Sequence, residues 1–136
     1  MAIRPYLAFA GNCREAFTRY QAVLGGELTM LAAADAPPGT GPAPDAVAPD
    51  AVMHAVLLVG GETLFGADDL SGQFDGKVHG MCVSYSLADP AEAARVFDAL
   101  ADGGEVQMPM GPRFFSPAFG MCTDRFGIPW MVLADQ

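Results

Sequence analysis

Two stretches decide the fold: NCREAFTRYQAVLGGEL at residues 12–28 and DPAEAARVFDALADGGEV at residues 89–106. With one inserted residue they align, so that a Glu-Ala pair, an aromatic residue and a Gly-Gly-Glu run recur in the same order. An internal repeat of this kind indicates two copies of one structural unit. Each feature predicted for the first copy can therefore be compared with the second.

Each copy contains a predicted helix with a signal for its start and its end. Asn12 and Asp89 are typical N-cap residues, and Glu15 and Glu92 follow three positions later, as in a capping box. Gly pairs end both helices. Apolar residues recur at three- and four-residue spacing, which predicts one buried stripe on each helix: Ala16, Tyr20, Val23 and Leu24 in the first, and Ala93, Val96, Phe97 and Leu100 in the second.

Runs of β-forming residues predict four strands in each copy. They cover residues 3–10, 27–34, 52–59 and 63–67 in the first copy, and residues 78–87, 105–110, 119–123 and 130–134 in the second. The chain is therefore predicted to be an α+β protein of two tandem βαβββ modules, at about residues 1–70 and 76–136. The two modules are predicted to form a single domain of residues 1–136. Residues 34–50, rich in Pro, Ala and Gly, are predicted to form a mobile loop.

Composition limits what the chain can bind and where it works. Its 16 acidic and seven basic residues give a formal net charge of −9, which argues against nucleic acid or an anionic membrane surface as a partner. We find neither an apolar run long enough to span a bilayer nor a secretory signal. Three cysteines without CxxC spacing are typical of a reducing compartment, so a cytoplasmic location is predicted.

Three motifs resemble a known family. The opening PYLAFAGNCREAFTRY at residues 5–20, LGGEL at residues 24–28 and TDRFGIPWMV at residues 123–132 resemble the PhnB-like branch of the glyoxalase, bleomycin-resistance and dioxygenase superfamily, also called vicinal oxygen chelate proteins. The resemblance implies a glyoxalase/bleomycin-resistance-like fold, a homodimer, and in each module a sheet curled around a concave cavity. Members of this branch are often described as methyltransferase-like. The chain lacks a Gly-rich strand-to-helix turn for a nucleotide-like cofactor, so no cofactor is predicted.

Alternation along the strands predicts which side chains line that cavity. Bulky residues within 83–87 are predicted to lie under the helix, which leaves Cys82, Ser84 and Ser86 facing the cavity. Cys82 has no evident base beside it and is predicted to be an inert thiol in preference to a nucleophile. The two repeats start 77 residues apart, at Asn12 and Asp89, so each residue of the second copy can be matched to the one 77 positions earlier. This match predicts that three residues of the first strand face the cavity: Pro5, Leu7 and Phe9.

The resemblance also implies where a metal ion would be bound. In the metal-dependent relatives, the first and last strands of each module supply His, Gln or Glu ligands. The matching positions here are Pro5, Leu64 (or Phe65 in a shifted register), Cys82 and Met131. One thiol beside apolar side chains cannot complete a coordination shell, so no metal site is predicted. One alternative stays open, in which His54 and Glu62 contribute ligands.

One imidazole and one aromatic segment are candidate ligand contacts. His54 lies in a predicted central strand, where PhnB-like proteins tend to have a His, and either faces the cavity or bonds to the backbone. The segment GPRFFSPAFG, residues 111–120, places Arg113, Phe114, Phe115 and Phe119 between Gly and Pro residues, where the rings could stack on a planar ligand. Arg113 would pair with an acidic group of the ligand or with a carboxylate of the chain.

Three hypotheses follow for function. The first is a metal-independent protein that binds a small organic molecule in a largely apolar cavity. The second is a lyase, isomerase or dioxygenase that uses a divalent metal, and the third is a structural or regulatory dimerisation module without a ligand. For the first hypothesis the predicted ligand-binding residues are Phe9, His54, Cys82, Ser84, Arg113, Phe114, Phe115, Phe119 and Met131.

Overall fold

A computed structural model describes residues 1–37, 39–40 and 48–135 of the chain. The chain divides into two compact units, Met1–Gly76 and Lys77–Gln136, and the described part of each contains four strands and one α-helix. The predicted α+β fold of two βαβββ modules is confirmed. The predicted loop at residues 34–50 lies largely outside the described residues.

The first unit forms a mixed four-stranded sheet with one helix. Its strand order is β1-β4-β3-β2, in which β1 and β4 are parallel and the other neighbours are antiparallel. A short 3₁₀ turn, Ala33–Asp35, follows β2. The elements in chain order are β1 (Tyr6–Phe9), α1 (Cys13–Leu24), β2 (Glu27–Ala32), β3 (Val52–Val59) and β4 (Glu62–Asp68).

The second unit repeats this topology. Its strand order is β5-β8-β7-β6, and its first and last strands are again parallel neighbours. Both helices have 12 residues, and no helix among the described residues is long and apolar enough to cross a membrane. The elements in chain order are β5 (Val83–Leu87), α2 (Pro90–Ala101), β6 (Glu105–Arg113), β7 (Ser116–Thr123) and β8 (Pro129–Ala134).

Each helix packs its apolar stripe on one face of the sheet in its own unit. The ring of Phe17 in α1 lies against Gly66 of β4, and the ring of Phe97 in α2 lies against Gly120 of β7. A side chain at either glycine would overlap the ring, so these glycines let helix and sheet approach closely. We call the opposite face of each sheet, turned away from its helix, the open face.

The start of α1 is stabilised by a residue from a distant strand. Asn12 makes no side-chain capping bond, whereas Asp89 accepts the backbone N–H of Ala91 at 3.0 Å, as its N-cap prediction requires. The carboxylate of Asp68 accepts the backbone N–H groups of Cys13 and Val52, both at 2.9 Å. One buried carboxylate thus satisfies the first turn of α1 and the first residue of β3.

The predicted inward orientation of Leu7 and Phe9 is wrong. Leu7 is 4% exposed and Phe9 is 0% exposed, and the Phe9 ring packs edge-on against Phe17 of α1, with 5.9 Å between ring centroids. The first module has one more residue between its first strand and its helix than the second, because β1 ends at Phe9 and β5 at Leu87, 78 positions later. A transfer by 77 residues therefore exchanges the two faces of the strand.

Candidate functional site

Three rings from three strands meet on the open face of the first unit. Tyr6 of β1 lies opposite Phe65 of β4, and His54 of β3 lies beside both. The ring centroids are 5.9 Å apart for Tyr6 and Phe65, 5.2 Å for His54 and Phe65, and 5.7 Å for Tyr6 and His54. We call these residues the Tyr6 cluster.

A hydrogen bond and a cation complete the cluster. The Tyr6 hydroxyl lies 3.0 Å from Nδ1 of His54, so the imidazole is bonded to a side chain and faces away from the helix. Burial, with a smaller contribution from Cys13, raises the pKa of Tyr6, so its hydroxyl keeps its proton at neutral pH. The guanidinium carbon of Arg4 lies 5.4 Å from the centroid of the Phe65 ring, in a cation–π arrangement.

The open face of the second unit brings several predicted residues together. Ser84 of β5 lies opposite Met131 of β8, and Met131 lies opposite Met121 of β7. Phe119 of β7 lies on the same face, two residues from Met121 and opposite Leu133 of β8. Cys82, which directly precedes β5, is half-buried.

The β6–β7 turn carries a row of three phenylalanines. Edge-on contacts join Phe114 to Phe115, with 5.1 Å between ring centroids, and Phe115 to Phe119, with 5.0 Å. Phe119 is almost buried, Phe115 is 45% exposed, and Phe114 at the tip is 97% exposed. The row therefore leads from solvent to the sheet, and Phe115 offers an accessible ring held in place by its neighbours.

Arg113 is turned back onto its own strand. Its guanidinium donates to the carbonyl oxygen of Pro109 at 2.8 Å and to that of Pro112 at 3.0 Å. The predicted pairing with a carboxylate of the chain is not seen among the residues that the structure describes. These two carbonyl bonds leave the positive charge of Arg113 beside the phenylalanine row without neutralising it.

The structure changes in part which residues occupy the places on the first and last strands of each unit where the resemblance implies metal ligands. In the first unit the neighbouring open-face pair is Tyr6 and Phe65, whereas Leu64 is 8% exposed and faces the helix. In the second unit the pair is Ser84 and Met131. A phenol, a phenyl ring, a hydroxyl and a thioether are poor ligands for the divalent ions used by such enzymes.

The alternative metal ligands do not converge either. Glu62 pairs with Val59, and His54 lies five residues further along β3, about 16 Å away at the usual rise per strand residue. His54 and Glu62 therefore cannot share one ion. Within residues 1–37, 39–40 and 48–135, no three His, Cys, Asp or Glu side chains form a group that could hold a metal.

Two of the three cysteines are unsuited to nucleophilic chemistry. Burial, reinforced by the Asp68 carboxylate, raises the pKa of the Cys13 thiol to about 12. Burial, reinforced by Asp124, raises the pKa of the Cys122 thiol to about 11. Both thiols stay protonated at neutral pH, and the thiolate is the reactive form.

A cleft of about 350 Å³ lies beside the start of α1, away from the predicted site residues. Two of its three carboxylates are already engaged, because Asp68 accepts two backbone N–H groups and Asp69 accepts the N–H groups of Ser71 and Phe74. The cleft is lined by Gly11, Arg14, Ala48, Asp50, Ala51, Asp68, Asp69, Leu70 and Gly72.

Reasoning from the sequence missed Arg4 and Tyr6 as candidate contacts. The 77-residue transfer aligns Tyr6 with Val83, whereas the spacing of 78 between the ends of β1 and β5 aligns it with Ser84. The bond between Tyr6 and His54 joins residues 48 positions apart and depends on the pairing of β1, β4 and β3. No local sequence pattern indicates that pairing.

Comparison with known proteins places the chain in a family. A family model described as 3-demethylubiquinone-9 3-methyltransferase matches residues 1–133. Protein YjdN of Escherichia coli strain K12 is 33% identical over 142 residues, which cover 97% of this chain and 94% of YjdN. The crystal structure of PA1353 from Pseudomonas aeruginosa is 46% identical, with a TM-score of 0.89 over 100% of this chain and 98% of PA1353.

More distant structures share the fold. A PhnB protein from Bacillus cereus, described as a putative 3-demethylubiquinone-9 3-methyltransferase, is 23% identical, with a TM-score of 0.75 over 98% of this chain and 99% of that chain. A glyoxalase-related enzyme and a glyoxalase/bleomycin resistance protein have TM-scores of 0.62 and 0.61 at 15% and 16% identity. The chain therefore belongs to the family described as 3-demethylubiquinone-9 3-methyltransferase, and it shares its fold with a PhnB protein and with glyoxalase/bleomycin resistance proteins.

Proposed function

We propose that the chain binds a small planar organic molecule on the open faces of its sheets and needs no divalent metal to do so. The observation behind this proposal is the chemistry of the paired open-face positions on the first and last strands of each unit, where the resemblance implies metal ligands. They hold Tyr6 and Phe65 in the first unit and Ser84 and Met131 in the second. Such side chains provide apolar and aromatic contact, as small-molecule sites do, and little capacity for coordination.

The phenylalanine row of the second unit supports a role in stacking. Phe115 presents an accessible ring, and Phe119 behind it holds that ring against the open face. A planar ligand would stack on Phe115 and contact Met131 and Ser84 on the adjoining strands. Arg113, held at the same turn by two carbonyl oxygens, would favour a ligand with an acidic group.

The proposal extends to assembly and location. The strand orders leave β1 and β2 at the edges of the first sheet and β5 and β6 at the edges of the second. Exposed edge strands usually need a cover, and the family resemblance favours a second copy of the chain. We propose a cytoplasmic homodimer in which the two modules of each chain act as one domain.

Substitution of Phe115 tests the proposed binding. A library of planar aromatic compounds is screened by thermal shift on protein treated with a chelator, and calorimetry measures the dissociation constant of each hit. Because an aromatic contact contributes about 0.5–1.5 kcal/mol, Phe115→Ala should weaken binding by about 2- to 10-fold. The free energy of unfolding should change little, since Phe115 is 45% exposed.

Val106→Ala is the matched control. Val106 is 49% exposed and lies in β6 of the same unit, but it pairs with the buried Cys122 on the other side of the sheet. Its substitution should leave the dissociation constant unchanged. A screen in which no compound binds, or hits that bind equally well to both variants, would contradict the proposal and favour the dimerisation module.

A further inference from the structure

On the open face the Tyr6 cluster has few acidic neighbours, although the chain carries a formal net charge of −9. Glu62 lies three residues from Phe65 in β4, where strand alternation places it on the other face. The described acidic residue on the same face is Glu27, which pairs with Leu58 at the far end of β2. His54 pairs with Leu31, which lies four residues from Glu27 in β2. The backbone of Leu31, beside His54, is therefore about 13 Å from the backbone of Glu27. An anion near His54 would therefore meet little repulsion.

Arg4 supplies a positive charge at this place. The N–H of Phe65 donates to the carbonyl oxygen of Pro5 at 3.1 Å, which extends the β1–β4 pairing and holds Arg4 next to Phe65. The guanidinium contacts the Phe65 ring, and in the part of the chain that the structure describes it has no carboxylate partner. Its N–H donors thus remain available to a ligand.

His54 has a second ring nitrogen that is available to a ligand. Its Nδ1 is engaged by the Tyr6 hydroxyl at 3.0 Å, whereas Nε2 has no partner among the described residues. The Tyr6 hydroxyl can donate to Nδ1 or accept from it, and in the arrangement in which it donates, the ring hydrogen of His54 lies on Nε2. In that arrangement Tyr6 would be a positioning residue, because it would hold the tautomer of His54 that can donate to a ligand.

We propose that Arg4, Tyr6, His54 and Phe65 form a subsite for a planar aromatic carboxylate. The carboxylate accepts hydrogen bonds from the Arg4 guanidinium and from Nε2 of His54, and the ring of the ligand contacts the exposed part of the Tyr6 and Phe65 rings. This inference rests on the proposed binding function and adds the class of ligand. It involves no metal and no covalent step.

Two probes of nearly equal shape test the subsite. Calorimetry on chelator-treated protein compares 2-naphthoate with 2-naphthamide, which differ mainly in charge. A partly exposed charge pair is worth up to about 1 kcal/mol, so naphthoate should bind about 3- to 5-fold more tightly. Arg4→Gln should remove this preference, whereas Arg95→Gln should keep it, because Arg95 lies on α2 and pairs with Glu92.

Tyr6→Phe tests the positioning role separately. Nitrogen-15 NMR of the imidazole should show mainly the Nε2–H tautomer in the parent protein and a mixture in the variant. Affinity for naphthoate should fall about 3-fold in that variant, while the circular dichroism spectrum stays unchanged. An unchanged tautomer population would overturn the role given to Tyr6.

The outcomes separate this inference from the proposed function. If both naphthalene probes bind equally to the parent protein, or if the preference for naphthoate survives in Arg4→Gln, the subsite is overturned while binding of planar molecules stands. If neither probe binds but other compounds from the screen do, the subsite is overturned in the same way. If no compound binds at all, the proposed function fails and the subsite fails with it.

Discussion

Gly26→Ala should lower the free energy of unfolding by about 2 kcal/mol more than Gly25→Ala, a difference that overpacking against backbone explains. Both glycines have positive φ, +91° for Gly26 and +80° for Gly25, so both variants carry a backbone cost of about 1–3 kcal/mol. A Cβ at Gly26 would overlap the carbonyl oxygen of Leu58, whereas a Cβ at Gly25 meets nothing within 4 Å. Urea denaturation followed by circular dichroism measures both variants.

The second module offers an independent comparison. A Cβ at Gly104 would overlap the carbonyl oxygen of Thr123, whereas at Gly103 it would meet the Arg125 side chain, which can move. Gly104→Ala should therefore be destabilised by overpacking against backbone, whereas Gly103→Ala, at a φ of +79°, should be destabilised mainly by the conformation of its own backbone. Equal stability of Gly26→Ala and Gly25→Ala, or a Gly104→Ala variant as stable as the parent protein, would contradict the view that the second glycine of each Gly-Gly-Glu run lets two strands lie close together.

Asp124→Ala should lower the free energy of unfolding by about 3–5 kcal/mol, because three buried donors lose their acceptor. Asp124 is 5% exposed and accepts the backbone N–H groups of Phe126 and Ile128, both at 2.9 Å. Its other oxygen accepts the indole N–H of Trp130 at 2.8 Å. Urea denaturation followed by the fluorescence of Trp130, the single tryptophan of the chain, measures the loss.

Asp102→Ala is the control for Asp124→Ala. The Asp102 side chain is 69% exposed and pairs with Arg125 at 3.0 Å, and such surface pairs contribute at most about 1 kcal/mol. We expect its unfolding curve to lie close to that of the parent protein. If Asp124→Ala were as stable as Asp102→Ala, the closing segment of the chain would not depend on this network of hydrogen bonds.

Much of the fold is encoded locally and could be predicted. The apolar stripes, the Gly pairs and the β-forming runs lie within short windows, and the repeat supplies each of them twice.

Strand starts were less predictable because they depend on single backbone positions. The strand predicted from residue 78 begins at Val83, since Gly80 has a φ of +78°. The strand predicted from residue 3 begins at Tyr6, directly after Pro5, which has no N–H to donate.

The candidate site was less predictable because it depends on which of the alternating side chains of a strand face the helix and which face away from it. A single extra residue between β1 and α1 moved Phe9 from the predicted inward side to the helix side and Tyr6 to the open face. The second module, in which the alternation was read directly from residues 82–87, places Ser84 and Met131 side by side on the open face. Contacts between distant strands, such as Tyr6 with His54, require the sheet register and not the sequence alone.

Calorimetric titration of one planar aromatic hit, with and without metal, tests the central claim most directly. The protein is first stripped with a chelator, and the titration is then repeated with an excess of nickel, zinc, manganese or ferrous ion. We predict the same dissociation constant under all conditions, because the open-face residues offer stacking and apolar contact and no set of metal ligands. Binding that is absent from the stripped protein and restored by one equivalent of a metal ion would contradict the claim.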